Sequence, residues 1–321
     1  MQSFASLSSQ FGERFNQPHF PATPSNLYDP NRYFLELGGK RIRPVLCLMG
    51  NELFEEIHSS AWEAAMAIEL FHNFTLIHDD IMDQAPLRRG LETVHMKYGE
   101  NIALLAGDVM MIKAYEYLNK IDARFLHPIL TLFNKTAIEV CEGQQLDMDF
   151  EKMGEVTLDA YLDMIEKKTS VLLAASLKMG AIIGGAGERN QDHLYEFGRK
   201  LGLAFQVQDD YLDAFGDPAK FGKQVGGDIL SNKKTFLLIH ALESANEHQQ
   251  KELLALLNSS DNQKVEKVLE IYKSCKVDEW ALALKSRFLT EAMDHLEQIA
   301  VLASRKASLK ELALYLVQRE V

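Results

Sequence analysis

Two stretches of the chain repeat one spacing of carboxylates, Asp79-Asp80-Ile81-Met82-Asp83 and Asp209-Asp210-Tyr211-Leu212-Asp213. In each, three aspartates stand at i, i+1 and i+4. On a helix turning about 100° per residue these side chains fan over roughly a third of the circumference. Each set is a dense patch of like charge that repels itself by roughly 0.2–0.5 kcal/mol per pair, even when exposed. A hard dication such as Mg²⁺, held by one or two carboxylates and completed by water and substrate phosphates, relieves that repulsion. One such motif is common on exposed helices. Two copies, each with apolar helix before it and a loop after it, point to metal binding.

Both sets fall at the predicted C-terminal ends of their helices, the first just before Pro86 and the second just before Gly216. A helix C-terminus carries partial negative charge and disfavours a carboxylate there by about 0.3–1 kcal/mol. A solvated acidic surface would sit better at helix starts, so the placement favours the metal reading.

Basic and polar groups accompany the acids. Gly38-Gly39-Lys40-Arg41-Ile42-Arg43-Pro44 joins two predicted helices and packs three cations into four positions. Its glycines suit a left-handed helix end, and Pro44 suits the first turn of the next helix. The forked Arg groups match phosphate oxygens. Arg88-Arg89-Gly90 follows the first set, where the arginines can pair with the aspartates or meet phosphates bridged by the same metals. His72 lies two turns before Asp79 on the same face; alone it reads as a hydrogen-bonded core histidine. Lys168-Thr169 sits in an apolar predicted helix (Tyr161 to Leu177), where an ammonium needs a partner. Gln206 shares a face with the second set, which is followed by Lys223, Lys233 and Lys234. Lys234 is taken as a solvated loop charge. Gly143-Gln144-Gln145-Leu146-Asp147 adds a polar patch to a helix otherwise patterned as core. Two acidic faces and two cation sets on an apolar helical scaffold suit two diphosphates beside an apolar tunnel that shelters a carbocation.

The elements that position these groups read as helical throughout. Four of the 8 prolines lie between Pro18 and Pro30, and none follows Pro218. The long proline-free stretches are rich in Ala, Leu, Glu and Lys. Phe4, Leu7, Phe11 and Phe15 have helical spacing and predict a short amphipathic arm within residues 1–30. From Asn31 on, long helices are broken at Gly38-Gly39, Ala85-Pro86, Gly154, Gly184-Gly185, Gly216-Asp217-Pro218 and Gly226-Gly227. No alternating strand pattern of useful length and no dividing linker occurs. The expectation is an all-α fold, one domain over residues 1–321, built as a bundle of long antiparallel helices.

Composition narrows the function further. The 321 residues are 47% hydrophobic and carry a net charge of −12, which argues against nucleic-acid binding. Cys47, Cys141 and Cys275 are few and scattered, so neither a disulfide frame nor a zinc site is expected and a reducing compartment, the cytoplasm, is. Met1 to Gln10 lack the basic start and apolar core of a secretory leader. The most apolar stretch, Ala61 to Ile77, carries Glu63, Glu69, His72 and Asn73 and reads as a buried helix with no integral membrane span expected.

Taken in order, GGKRIRP, LIHDDIMD with RRG, GQQLD, the KT pair, FQVQDDYLD, FGKQVGGD and NKKT make the chain resemble the all-trans isoprenyl diphosphate synthases, the farnesyl/geranylgeranyl diphosphate synthase family. The resemblance runs from about Asn31 to Thr235. It implies a helical bundle around a central cavity, the isoprenoid synthase fold, and a homodimer. It further implies that Asp79, Asp80, Asp83, Asp209, Asp210 and Asp213 hold three Mg²⁺ ions on an allylic diphosphate that Arg88, Lys168, Lys223 and Lys233 also contact. Lys40, Arg43, His72 and Arg89 would bind the diphosphate of isopentenyl diphosphate. The Thr169 and Gln206 oxygens, with the Lys168 carbonyl, would stabilise the allylic cation. Phe74, with Phe71 a turn further down, faces the growing product. Thr75 departs from the double-aromatic arrangement of animal-type farnesyl synthases, and the first motif lacks the two-residue insertion of bacterial ones. Both departures favour geranylgeranyl over farnesyl diphosphate. Terpene cyclases normally replace the second acidic motif, and non-catalytic subunits of heteromeric synthases usually lose one; this chain has both.

Overall fold

A computed structural model of the protein describes residues 1–217, 226–257, 259 and 261–318. Helices account for most of it, as expected. Ten lead through the first two thirds: α1 (Phe4–Phe15), α2 (Ser25–Glu36), α3 (Ile42–Glu52), α4 (Ser59–Met82), α5 (Val94–Tyr98), α6 (Glu100–Leu118), α7 (Ala123–Lys152), α8 (Leu158–Ile165), α9 (Val171–Ile183) and α10 (Glu188–Phe215). Further helices span Gly227–Leu230, Phe236–Ser244, Glu247–Leu257, Lys264–Ser274, Val277–Gln298 and Ala303–Gln318. Among the described residues the strands amount to one hairpin, Leu87–Arg88 paired with Leu91–Glu92. No helix there is long and apolar enough to cross a membrane.

Local chemistry explains the principal boundaries. Ser3 and Thr157 cap α1 and α8, their hydroxyls accepting the amides of Ser6 and Ala160 at 3.2 Å. The N-terminal periodicity is borne out, with Leu7, Phe11 and Phe15 buried on one face of α1. α2 begins at Ser25, earlier than the proline pattern suggests, and contains Pro30. Proline's fixed φ fits the helix, but inside it the ring forgoes an N–H bond and crowds the carbonyl four residues back, at a cost of about 3 kcal/mol.

The described residues group into two compact units. The first comprises Met1–Asn134, Ala175–Leu194 and Ala300–Ser308. Here α4 packs on α6 and α3, and α2 on α6. α4 is buried nearly all round, from Ala61 through Ile77, which is the signature of a core helix. α3 and α9 meet through glycine: a Cβ on Gly50 would stand 2.4 Å from the Leu177 carbonyl, and one on Gly180 2.0 Å from that of Cys47. The second unit comprises Lys135–Ala174, Tyr195–Ile299 and Leu309–Val321. Tyr161, Phe236 and Trp280 form an aromatic run in its core, with ring centroids 6.2 and 5.7 Å apart.

One sequence expectation fails here. Lys234 is no solvated loop charge: its ammonium donates to the carbonyls of Phe150 (2.7 Å), Glu151 and Met153 at the end of α7. A lysine there satisfies carbonyls that the helix leaves over and offsets its negative terminus.

Candidate functional site

In the first unit, the turn between α2 and α3 gathers the cations. Gly38 adopts φ 73°, and Arg41 is held left-handed at φ 51°. Such a backbone disfavours a side chain by roughly 1–2 kcal/mol, and an ion pair with the buried Glu69 offsets it. Glu69 in turn accepts from Asn73 at 3.0 Å, so both polar residues of this core helix face are matched. Gly39 lies so close to Arg89 that a Cβ would come 3.1 Å from the guanidinium. The result is a cavity of about 410 Å³ lined by Lys40, Arg41, Arg43, Arg89, Glu69 and His72 together with the turn backbone. All four residues expected to bind one diphosphate, Lys40, Arg43, His72 and Arg89, line it.

Electrostatics define what the cavity takes. Burial, reinforced by Arg43, Arg89, Arg88 and Arg41, pushes the His72 pKa well below its ordinary value. The ring is neutral, and its Nε2 sits 3.1 Å from Arg43 Nη1, placed to accept that donor. Burial, only partly opposed by Glu69, lowers the Arg43 pKa to about 10, which leaves it charged at neutral pH. Its buried Nε has no hydrogen-bond partner among the described residues. Four cations thus stand against one carboxylate, an arrangement that favours a multiply charged anion.

Two turns along α4, the first acidic set closes the helix. Asp80 is 1% exposed, Asp79 is half-buried and Asp83 is exposed. Arg88 Nε reaches both Asp80 oxygens at 2.8 Å, and Nη2 lies 3.4 Å from Asp79. Burial raises the Asp80 pKa even though Arg88 opposes it. Arg89 and Gly90 both have positive φ (55° and 79°), the turn that tight hairpins need. It separates the neighbours, sending Arg88 to the aspartates and Arg89 to the cavity. On the same helix Phe74 is 9% exposed and Phe71 1%. Phe74 meets His78 at 4.8 Å, Phe71 meets Phe133 at 5.0 Å, and Thr75 turns its hydroxyl back onto the His72 carbonyl at 2.8 Å.

In the second unit, Lys168 and Thr169 lie in a π-helical turn, Glu166–Ser170, between α8 and α9, where the sequence suggests one unbroken helix. Such turns are rare and cluster at functional sites. Gly143 of α7 abuts it, since a Cβ would stand 2.3 Å from the Lys168 nitrogen. Lys168 Nζ pairs with Asp147 at 2.6 Å. Burial would raise the Asp147 pKa, but Lys233 and Lys168 outweigh it and hold the carboxylate below its ordinary value. Thr169 donates to Gln206 Oε1 at 3.3 Å, Gln206 donates to Asp210 Oδ1 at 2.8 Å, and the fully buried Tyr161 donates to Asp210 Oδ2 at 2.5 Å. Burial raises the Asp210 pKa against the pull of Lys233, Tyr161 and Gln206. Asp213 accepts from the Asp228 amide at 3.0 Å. The Asp228 carboxyl is pushed up to about 7, mainly by burial, with Asp210, Asp213 and Asp147 adding to it. Asp209, like Asp213, is half-buried. Lys223 lies outside the described residues.

Arg41, Glu69, Asp147, Tyr161 and Asp228 are the site residues that sequence reasoning left out. Arg41 stood in the cationic turn, Asp147 in the polar patch of α7, and Asp228 after the paired glycines. Tyr161, an aromatic in an apolar helix, gave no signal.

The donor chemistry suits Mg²⁺. In each acidic set the outer carboxylates are partly or fully exposed, while the middle one is buried. Among the described residues no three acidic, His or Cys side chains converge into a ready cage. One or two hard carboxylates per ion, completed by water and phosphate oxygens, is the arrangement Mg²⁺ takes beside phosphate substrates.

Comparison with known proteins follows the same line. The sequence model of the polyprenyl synthetase family matches residues 24–275. A short chain isoprenyl diphosphate synthase of Methanothermobacter thermautotrophicus is 38% identical over 321 residues, covering 100% of this chain and 98% of that one. A geranylgeranyl diphosphate synthase of Methanosarcina mazei is 46% identical over 222 residues, 68% of each chain. Among solved structures, a geranylgeranyl pyrophosphate synthase superposes with a TM-score of 0.94 at 42% identity, covering 100% of both chains. The protein belongs to the polyprenyl synthetase family.

Proposed function

We propose that the protein is a Mg²⁺-dependent trans-prenyltransferase, joining isopentenyl diphosphate head-to-tail to allylic diphosphates. The observation that carries this reading is the cavity of Lys40, Arg43, His72 and Arg89, in which His72 stands two turns, about 10 Å, before Asp79 on α4. An anion pocket that close to a metal-binding helix end suits two diphosphate substrates. The cavity takes the isopentenyl diphosphate, with neutral His72 keeping Arg43 aimed into it. Asp79, Asp80, Asp83, Asp209, Asp210 and Asp213 hold the metals, and Arg88, Lys168, Lys223 and Lys233 contact the allylic diphosphate. When bound, Mg²⁺, three ions in this reading, neutralises the charge on the leaving diphosphate. The allylic C–O bond breaks with its electron pair leaving on the diphosphate. The isopentenyl double bond attacks the allylic carbon, a C–C bond forms, and a proton passes to the departing diphosphate to give the new double bond. The Thr169 and Gln206 oxygens and the Lys168 carbonyl face the positive charge meanwhile. Phe74, Phe71 and Thr75 set the product length, with geranylgeranyl diphosphate favoured over farnesyl diphosphate.

The test is to incubate purified protein with Mg²⁺, isopentenyl diphosphate and each allylic diphosphate separately, then size the products. Twenty-carbon product is expected, and no condensation with any allylic partner would refute the reading. We further propose a homodimer, supported by the exposed apolar side chains Leu105 (54%) and Ile112 (60%), two turns apart on α6. Light scattering should give twice the 36.3 kDa chain mass, and a monomer would rule the dimer out.

A further inference from the structure

The hydrogen bonds that end at Thr169 have a direction, and that direction selects the charge they can serve. A carboxylate oxygen only accepts, so the end of the Gln206 amide that meets Asp210 Oδ1 at 2.8 Å is its NH₂ group. Oε1 must then lie on the far side, where the Thr169 hydroxyl gives it a proton at 3.3 Å. With its one proton committed, Thr169 Oγ1 presents only lone pairs elsewhere. The run therefore terminates in two oxygens that can act only as acceptors. A flipped amide would reverse this and present two donors.

Asp210 can impose that orientation because it is itself fixed. It is 4% exposed, and its second oxygen accepts from the Tyr161 hydroxyl at 2.5 Å. Tyr161 is 1% exposed, on α8 directly before the π-helical turn that carries Thr169. The same short segment thus supplies both the anchor of the carboxylate and the hydroxyl at the other end of the run. Outer partners of this kind commonly orient the groups that do the chemistry.

We propose that Tyr161 and Asp210 are positioning residues that lock the Gln206 amide so that Gln206 Oε1 and Thr169 Oγ1, rather than donor hydrogens, are offered to a cationic reaction centre. The proposal rests on the prenyltransferase reading, which supplies the allylic cation. It gives the middle aspartate of the second motif a task exerted through Gln206, in addition to the metal binding it shares with Asp209.

The experiment compares wild type, Tyr161→Phe, Asp210→Asn and Asp209→Asn with two probes in Mg²⁺. One is an allylic diphosphate analogue carrying an ammonium at the position of the cation; the other is a diphosphate with a neutral saturated tail. Asp210→Asn should weaken the ammonium probe at least tenfold more than it weakens the neutral probe, since any loss of metal binding is common to both. Tyr161→Phe, which deletes one oxygen and serves if the other variant does not fold, should change the ratio in the same sense and lower kcat with both KM values held. Asp209→Asn should weaken both probes alike. Equal losses for the two probes in Asp210→Asn would make it a plain metal ligand and overturn the proposal, as would an unmoved ratio in Tyr161→Phe. Wild-type turnover with the natural substrates tests the underlying reading separately. An enzyme that turns over while the ratio stays put in the variants overturns the lock alone.

Discussion

At the residue scale, the first acidic motif and the aromatic side chain before it divide two tasks along one helix. Phe74 stands five residues before Asp79 and is 9% exposed, with its ring against His78 and Phe71. We predict that Phe74→Ala lengthens the product by at least one five-carbon unit, because the largest group at that depth is removed. The substitution destabilises the fold by about 3–5 kcal/mol if its surroundings do not collapse, so a melting curve should accompany the product analysis. A folded variant with an unchanged product would place the chain-length wall elsewhere. The cations of the α2–α3 turn were legible because they accompany two acidic motifs whose metals would bind phosphate, while alone the segment reads as a solvated basic turn. Tyr161 was not legible, since burial against Phe236 and a hydrogen bond to a carboxylate leave the same letter in the sequence.

Elements carry a different part of the chemistry. Tyr161 to Leu177 reads as one apolar helix, but the chain widens into a π turn at Glu166–Ser170. One extra residue turns the apolar face by about 100°, but Val171–Ile183 is apolar nearly all round, so the shift of face leaves little trace in the sequence. What betrays it in space is Gly143, whose missing side chain lets α7 touch the Lys168 backbone. Gly143→Ala should therefore do more than remove a glycine from a helix, a change that elsewhere stabilises by roughly 0.5–1 kcal/mol. We expect a lowered melting temperature together with a tenfold or greater loss of kcat, as the turn bearing Lys168 and Thr169 is displaced. A stabilised, fully active variant would show that α7 does not hold that turn. The helix ends at Asp79–Asp83 and Asp209–Asp213, by contrast, were read correctly, because Pro86 and Gly216 mark them in the letters.

For the molecule as a whole, the all-helical class followed from scarce proline and long helix-forming runs. The grouping into units did not, since Ala175–Leu194 and Ala300–Ser308 pack with Met1–Asn134. Such long-range contacts leave no mark on local periodicity. One of them has a dynamic consequence. Where α9 crosses α3, Gly50 faces the Leu177 carbonyl, Gly180 faces that of Cys47, and Gly184 faces that of Asn51. Main chain rests on main chain there, with no compliant layer of side chains to absorb displacement. Opening such a contact requires the whole unit to come apart, so its amides should exchange with deuterium at the slow, global rate. Exchange of Val45–Asn51 and Leu177–Ile183 faster than that of α1 would contradict this. Immediately before the slow segment lies the cationic turn, so its arginines are tethered to a part of the protein that scarcely breathes on the timescale of a turnover.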